Sequence, residues 1–132
     1  MDDKRYHLTL TEGAPPLQIR AEVCLIGNDL VVTISGGAKP HVGAVAVGIP
    51  RPSLDDPDIV SATASVFAMI GHKEDDLARN MARVLAAKLN RTVVITVGIH
   101  VDKISAEEIG DIEGSCNRLL ENLLEMIKKM WG

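Results

Sequence analysis

Residues 59–100, IVSATASVFAMIGHKEDDLARNMARVLAAKLNRTVVITVGIH, decide the fold, because the spacing of apolar residues changes twice within them. Ile59 to about Ile70 reads as a strand. After Gly71 the apolar positions shift to one helical stripe: Leu77, Met81, Val84, Leu85 and Lys88, with Ala78, Ala82 and Leu89. Glu74, Asp75 and Asp76 fill the first turn, where carboxylates complement the helix dipole, and Lys88 and Asn90 lie at the other end. Thr92 to Val97 is β-branched and returns to strand. A strand-helix-strand unit folds with its strands parallel and a right-handed crossover, so the C-terminal ends of both strands reach one edge of the sheet.

Upstream, apolar residues alternate with polar ones from Tyr6 to Glu12 and from Leu17 to Ile26, the period of half-buried strands. Gly27-Asn28-Asp29 makes a tight hairpin turn to a third strand, Leu30 to Ser35. A fourth strand, from His41 to about Gly48, is small and apolar on both faces and should be central. Pro50, Pro52 and Pro57 lie within Pro50-Arg51-Pro52-Ser53-Leu54-Asp55-Asp56-Pro57, which reads as a surface loop. Downstream, Ser105-Ala106-Glu107-Glu108 is a capping box with Ile104 and Ile109 as its staple. It opens a helix whose stripe is Ile109, Ile112, Cys116, Leu119, Leu120, Leu123, Ile127 and Met130. The expected fold is α+β: one mixed, mainly antiparallel sheet of about six strands in the order β-β-β-β-β-α-β-α, with two helices on one face.

The whole chain, 132 residues with 46% hydrophobic content, reads as a single domain over residues 1–132 with its core at about 6–130. Fourteen Lys and Arg stand against 18 Asp and Glu, with one each of Trp, Tyr and Phe. That balance excludes the basic, aromatic-bearing face of a nucleic-acid module and a surface that attracts anionic lipid. No apolar run approaches the roughly 20 residues of a membrane span, and Met1-Asp2-Asp3-Lys4-Arg5 lacks the apolar core of a signal peptide, so a cytoplasmic location is expected. Cys24 and Cys116 have no CxxC or nearby histidine and read as reduced core residues.

Three of the four histidines stand where a strand meets a turn: Pro40-His41, Gly71-His72 and Gly98-Ile99-His100. Antiparallel pairing of strands four and five brings His41 toward His72, and the parallel crossover brings His72 toward His100. Chain order therefore gathers His41, His72 and His100 at one sheet edge, with Lys39, Lys73 and Asp102 beside them. Two chemistries suit such a cluster. Three imidazoles and a carboxylate match a divalent metal, with His41, His72 and His100 as ligands of a metal-dependent enzyme. Imidazolium beside Lys39 or Lys73 matches a phosphate. Nucleophilic catalysis has no support, since neither cysteine lies near these loops and Ser53, Ser61 and Ser65 have no motif around them. No GxGxxG or GxxxxGK[ST] is present. In the last helix Gly110 and Gly114 share a face with Asn117 and Arg118, which suggests a close approach, and the end Met126, Ile127, Met130, Trp131 suggests a subunit contact.

Pro40-His41-Val42-Gly43-Ala44-Val45, Gly71-His72-Lys73-Glu74 and Gly98-Ile99-His100-Val101-Asp102, with Leu89-Asn90-Arg91-Thr92 ending the helix, resemble the small LpdD-type proteins. These are the D components that accompany UbiD-like decarboxylases of hydroxyaromatic acids, and the resemblance covers about residues 17–127. It implies a non-catalytic chaperone that carries prenylated flavin mononucleotide (prenylated FMN, or FMN itself) for its decarboxylase. It makes His41, His72, Lys73 and His100 the contacts to the cofactor's phosphate or ring edges. Gly43 would allow close approach, and Asp102 would orient an imidazole. The architecture is also similar to the proteasome assembly chaperones, which are dimers, so a homodimer and a pure protein-binding module are further expectations. With so few aromatics, a flavin ring would lie against aliphatic side chains or glycines.

Overall fold

The computed structural model describes residues 6–69 and 74–131. Its elements are β1 (Tyr6–Glu12), β2 (Ile19–Ile26), β3 (Asp29–Gly37), β4 (Ala44–Pro52), β5 (Val60–Ala68), α1 (Asp75–Leu89), β6 (Val93–His100) and α2 (Ala106–Trp131). One six-stranded sheet runs in the order β1-β2-β3-β6-β4-β5. Every neighbouring pair is antiparallel except β3 with β6, which is parallel. The α+β sheet covered by two helices is as expected. The detail the periodicity did not show is that β6 inserts between β3 and β4. The strands flanking α1, β5 and β6, thus point the same way but are separated by β4.

One face of the sheet carries the core. A single row across five strands, Val23, Val32, Ile95, Ala46 and Val66, shows the pattern. The first four of these are buried and the fifth is packed against them. Burying a Val, Leu or Ile side chain stabilises the fold by about 1.5–3 kcal/mol. Helix α1 covers β4, β5 and β6, and α2 lies over β1 and β2. Small residues let α1 sit close: a Cβ on Gly48 would run into the Ala82 carbonyl oxygen and would lie 3.0 Å from the Ala86 Cβ. The capping box closes α2 reciprocally, as Ser105 Oγ accepts the Glu108 N–H and Glu108 Oε1 accepts the Ser105 N–H, each at 3.1 Å. Neither helix is long and apolar enough to cross a membrane.

Five sequence expectations are corrected. Pro50 and Pro52 belong to β4, opposite Ala62 and Val60, instead of a loop. Pairing of β4 with β6 stops at Gly48 opposite Val93, so both prolines lie where β4 has become an edge and needs no donor on that side. His41 lies ahead of β4, which starts at Ala44. Cys24 points to the uncovered face and is half-buried, whereas Cys116 is buried, its thiol pushed up to about 11 by burial and then by the charge of Glu113. At the end of α2, Ile127 is fully buried under the helix and only Met130 is exposed, while the Trp131 side chain lies outside the described residues. Among the described residues a Cβ on Gly110 would meet nothing within 4 Å and one on Gly114 only the Arg118 guanidinium, so no close approach among them requires these glycines.

The opposite face of the sheet is open. It carries Val31, Val94 and Val47 in one row and Thr33, Thr96, Val45 and Phe67 in the next. Phe67 is 72% exposed.

Candidate functional site

The loop from β3 to β4 must cross the end of β6, because β6 lies between those strands. It is tied down on both sides: Ala38 N–H donates to His100 O at 2.8 Å, Gly43 N–H to Val97 O at 3.0 Å, and Met69 N–H to Gly43 O at 2.8 Å. Two glycines make the crossing possible. A Cβ on Gly98 would collide with the His41 carbonyl, and one on Gly37, which has φ +75°, would collide with the His100 carbonyl.

The crossing lays His41 beside His100, their rings edge to face with centroids 6.3 Å apart. Each imidazole faces a carboxylate. His41 Nε2 lies 3.3 Å from Glu74 Oε1, and His100 Nε2 lies 2.8 Å from Asp102 Oδ1. The other His41 nitrogen, Nδ1, is 2.8 Å from the Lys39 carbonyl. The two pairs differ in burial. The side chains of His41 and Glu74 are 23% and 13% exposed, those of His100 and Asp102 41% and 68%. The hydrogen bond from His100, helped by the charges of Lys39 and His100, holds the Asp102 carboxyl below the usual carboxylate range.

Sequence reasoning placed Glu74 in the helix dipole and missed its role. It stands at the N-cap of α1 but makes no side-chain cap. Its carboxylate turns to the sheet, where Oε1 accepts the Ile99 N–H at 3.3 Å, and it fills the space that Gly43 leaves: a Cβ there would lie 2.7 Å from Glu74 Oε2. The available signal was a glutamate at a position that favours Ser, Thr, Asp or Asn. Of the residues singled out in the sequence, His41, Gly43, His100 and Asp102 meet at this edge. His72 and Lys73 lie outside the described residues. Among the described residues no group of three or more His, Cys, Asp or Glu has the geometry to hold a metal ion.

Beside His100 a groove of about 740 Å³ opens, a volume within the range of small-molecule sites. It exists because α1 and α2 stand over different halves of the sheet and meet over only a short stretch. Its walls are mainly aliphatic: Leu77 from α1, Ile99 and Val101 from the end of β6, Ile104 ahead of α2, and Ile109 and Ile112 from α2. Asn80 and Asn117 lie on opposite helices, and Glu74, Asp76 and Glu113 give the groove an acidic character.

The family model of the prenylated flavin chaperone LpdD-like domain matches residues 13–128, which contain this whole edge and the groove. The chain belongs to this family. Protein LpdD of Lactiplantibacillus plantarum is 29% identical to it over 101 residues, 76% of this chain and 71% of that protein. Membership in a chaperone family makes the role of the LpdD-like chain an accessory one.

Proposed function

We propose that this LpdD-like chain binds prenylated FMN and holds it for a UbiD-like decarboxylase. The observation that carries the reading is the pair His41 and His100, 6.3 Å apart with His100 lining the groove, in a chain of this family. A flavin phosphate is an anion that charge-assisted donors bind best. Lys39 provides such a donor, and the imidazoles of His41 and His100, with His72 and Lys73 that precede Glu74 in the sequence, complete the proposed contact. Asp102 orients the His100 ring and Glu74 the His41 ring. The modified ring supplies the decarboxylase's reactivity, and the carrier binds and shields it. An overall charge of -4 does not oppose this, because nearby cations decide a phosphate contact.

We further propose that the carrier acts in the cytoplasm as a homodimer paired through the open sheet face, where Phe67 and Ile49 are 72% and 55% exposed. Sedimentation should show a dimer that Phe67→Glu converts to monomer; a monomeric wild type would remove this part of the reading.

Co-expression with a flavin prenyltransferase tests the carrier role. The purified chain should show flavin absorbance and a bound mass equal to prenylated FMN, and His100→Ala should lose it. Colourless, cofactor-free protein would overturn the proposal.

A further inference from the structure

We infer that the groove between α1 and α2 is the bed for the flavin's ring system, with the histidine edge reserved for its phosphate. This rests on the carrier reading and adds what that reading leaves open, where the ring lies. A fused heterocycle needs apolar walls on its faces and polar groups at its heteroatom edge. The groove has six aliphatic side chains for the first. For the second, Asn80 and Asn117 carry both an acceptor oxygen and a donor nitrogen, which is what the carbonyl and N–H groups of a flavin's pyrimidine edge require.

Charge separates the two parts of the site. Glu74, Asp76 and Glu113 line the groove and repel a phosphate from it, while the Lys39 ammonium acts on Asp102 beside the His100 end. A ligand with a neutral ring and an anionic tail therefore has one favourable orientation. The groove also accounts for a break in the α2 stripe. Ile112, Cys116, Leu119, Leu123 and Ile127 are all buried, yet Ile109, first in the series, remains 44% exposed and faces the groove. It is an apolar surface that the fold leaves uncovered, of the kind a ring would cover. The aliphatic lining also explains how a chain with one Phe and one Trp can hold a flavin without an aromatic stacking partner.

The experiment is co-expression of the full chain with a flavin prenyltransferase, followed by measuring prenylated FMN retained per chain by absorbance and mass. Four proteins are compared: wild type, Ile109→Trp, Ile109→Asn and Leu54→Ser, the last a 90% exposed residue of the β4–β5 loop outside the groove. Because Ile109 is half out of the fold, the tryptophan should fill the groove while the melting temperature stays unchanged. Retention in Ile109→Trp should fall by about tenfold or more, and Leu54→Ser should retain as much as wild type. Ile109→Asn, which keeps the groove open but makes its wall polar, should also lose cofactor, so the result does not depend on one bulky residue. Full retention in both Ile109 variants would overturn the ring bed and leave the carrier reading standing. A flavin-free wild type would instead overturn the carrier reading itself.

Discussion

The two ends of β6 are built from similar parts and come out differently. At the entering end, Arg91 donates to the Asn28 carbonyl at 3.4 Å, and Asp29 Oδ1 accepts the Thr92 N–H at 3.3 Å. At the leaving end, Glu74 Oε1 accepts the Ile99 N–H at the same 3.3 Å. Both carboxylates cap a strand. The entering cleft, however, is small, about 340 Å³, and lined mainly by Asn28, Asp29, Asn90, Arg91 and Thr92, whereas the leaving groove is about twice as large with aliphatic walls. Among the described residues only the leaving end has a loop crossing it, and only there do carboxylates face imidazoles. The difference teaches that finishing a sheet needs hydrogen bonds alone. A ligand site also needs helices that diverge and apolar surface left uncovered between them.

The glycines at the two ends break or sharpen this contrast most strongly. Gly98→Ala drives a methyl group into the His41 carbonyl and should destabilise by about 1–3 kcal/mol, the usual range for overpacking, and displace the crossing loop. Gly27→Ala, in the hairpin at the entering end, meets nothing within 4 Å and has φ +57°. It should cost only the left-handed backbone strain, about 1 kcal/mol. Chemical denaturation gives both values, and equal losses would mean that the loop crossing is not tight.

The capping carboxylates come next. Glu74→Ala leaves the part-buried Ile99 N–H without its acceptor and should cost about 1–3 kcal/mol. Asp29→Ala exposes the Thr92 N–H to water and should cost less than about 1 kcal/mol. The same denaturation curves would contradict this ordering if Asp29 proved the more important.

The Asp102 carboxyl makes the leaving end sensitive to acid. Its folded value is lowered from the ordinary 3.8, so its stabilising contribution is present above 3.8 and disappears as pH falls through the lowered folded value. In a series of melting temperatures, Asp102→Asn should differ from wild type near neutrality and converge with it in acid. A gap that persists unchanged to the lowest pH would show that the His100 pair does not contribute through charge.

Among the described residues two non-glycines have positive φ, Asn90 at 53° before β6 and Lys103 at 52° after it. Asparagine tolerates this conformation and lysine does not. Lys103→Gly should therefore raise stability by about 1 kcal/mol, while Asn90→Gly should change it by only a few tenths. Equal gains at the two positions would erase the asymmetry.

Most of the framework was legible because it depends on local patterns. The alternation in β2 and β3, the stripe of α1 and the capping box at Ser105 each report what a few neighbouring residues must bury or bond. The misreadings were of residues whose role depends on strand order. Pro50 and Pro52 looked incompatible with any ladder, and become acceptable only because β6 begins opposite Gly48. Glu74 looked like a dipole partner, and its carboxylate finds Ile99 and His41 only after β6 and the β3–β4 loop are in place. The groove had no signature at all, since Ile104 read as a staple residue and Ile109 and Ile112 as ordinary stripe residues.

The sequence by itself determined the kinds of elements and their order, and placed His41 and His100 at strand ends that topology could bring together, because periodicity and turn chemistry act over a few residues. Only the tertiary structure decided that β6 lies between β3 and β4, that a loop must therefore cross it over Gly98, and that α1 and α2 stand far enough apart to leave an aliphatic groove beside His100. Those outcomes depend on how whole layers pack, and no short stretch of the chain contains that information.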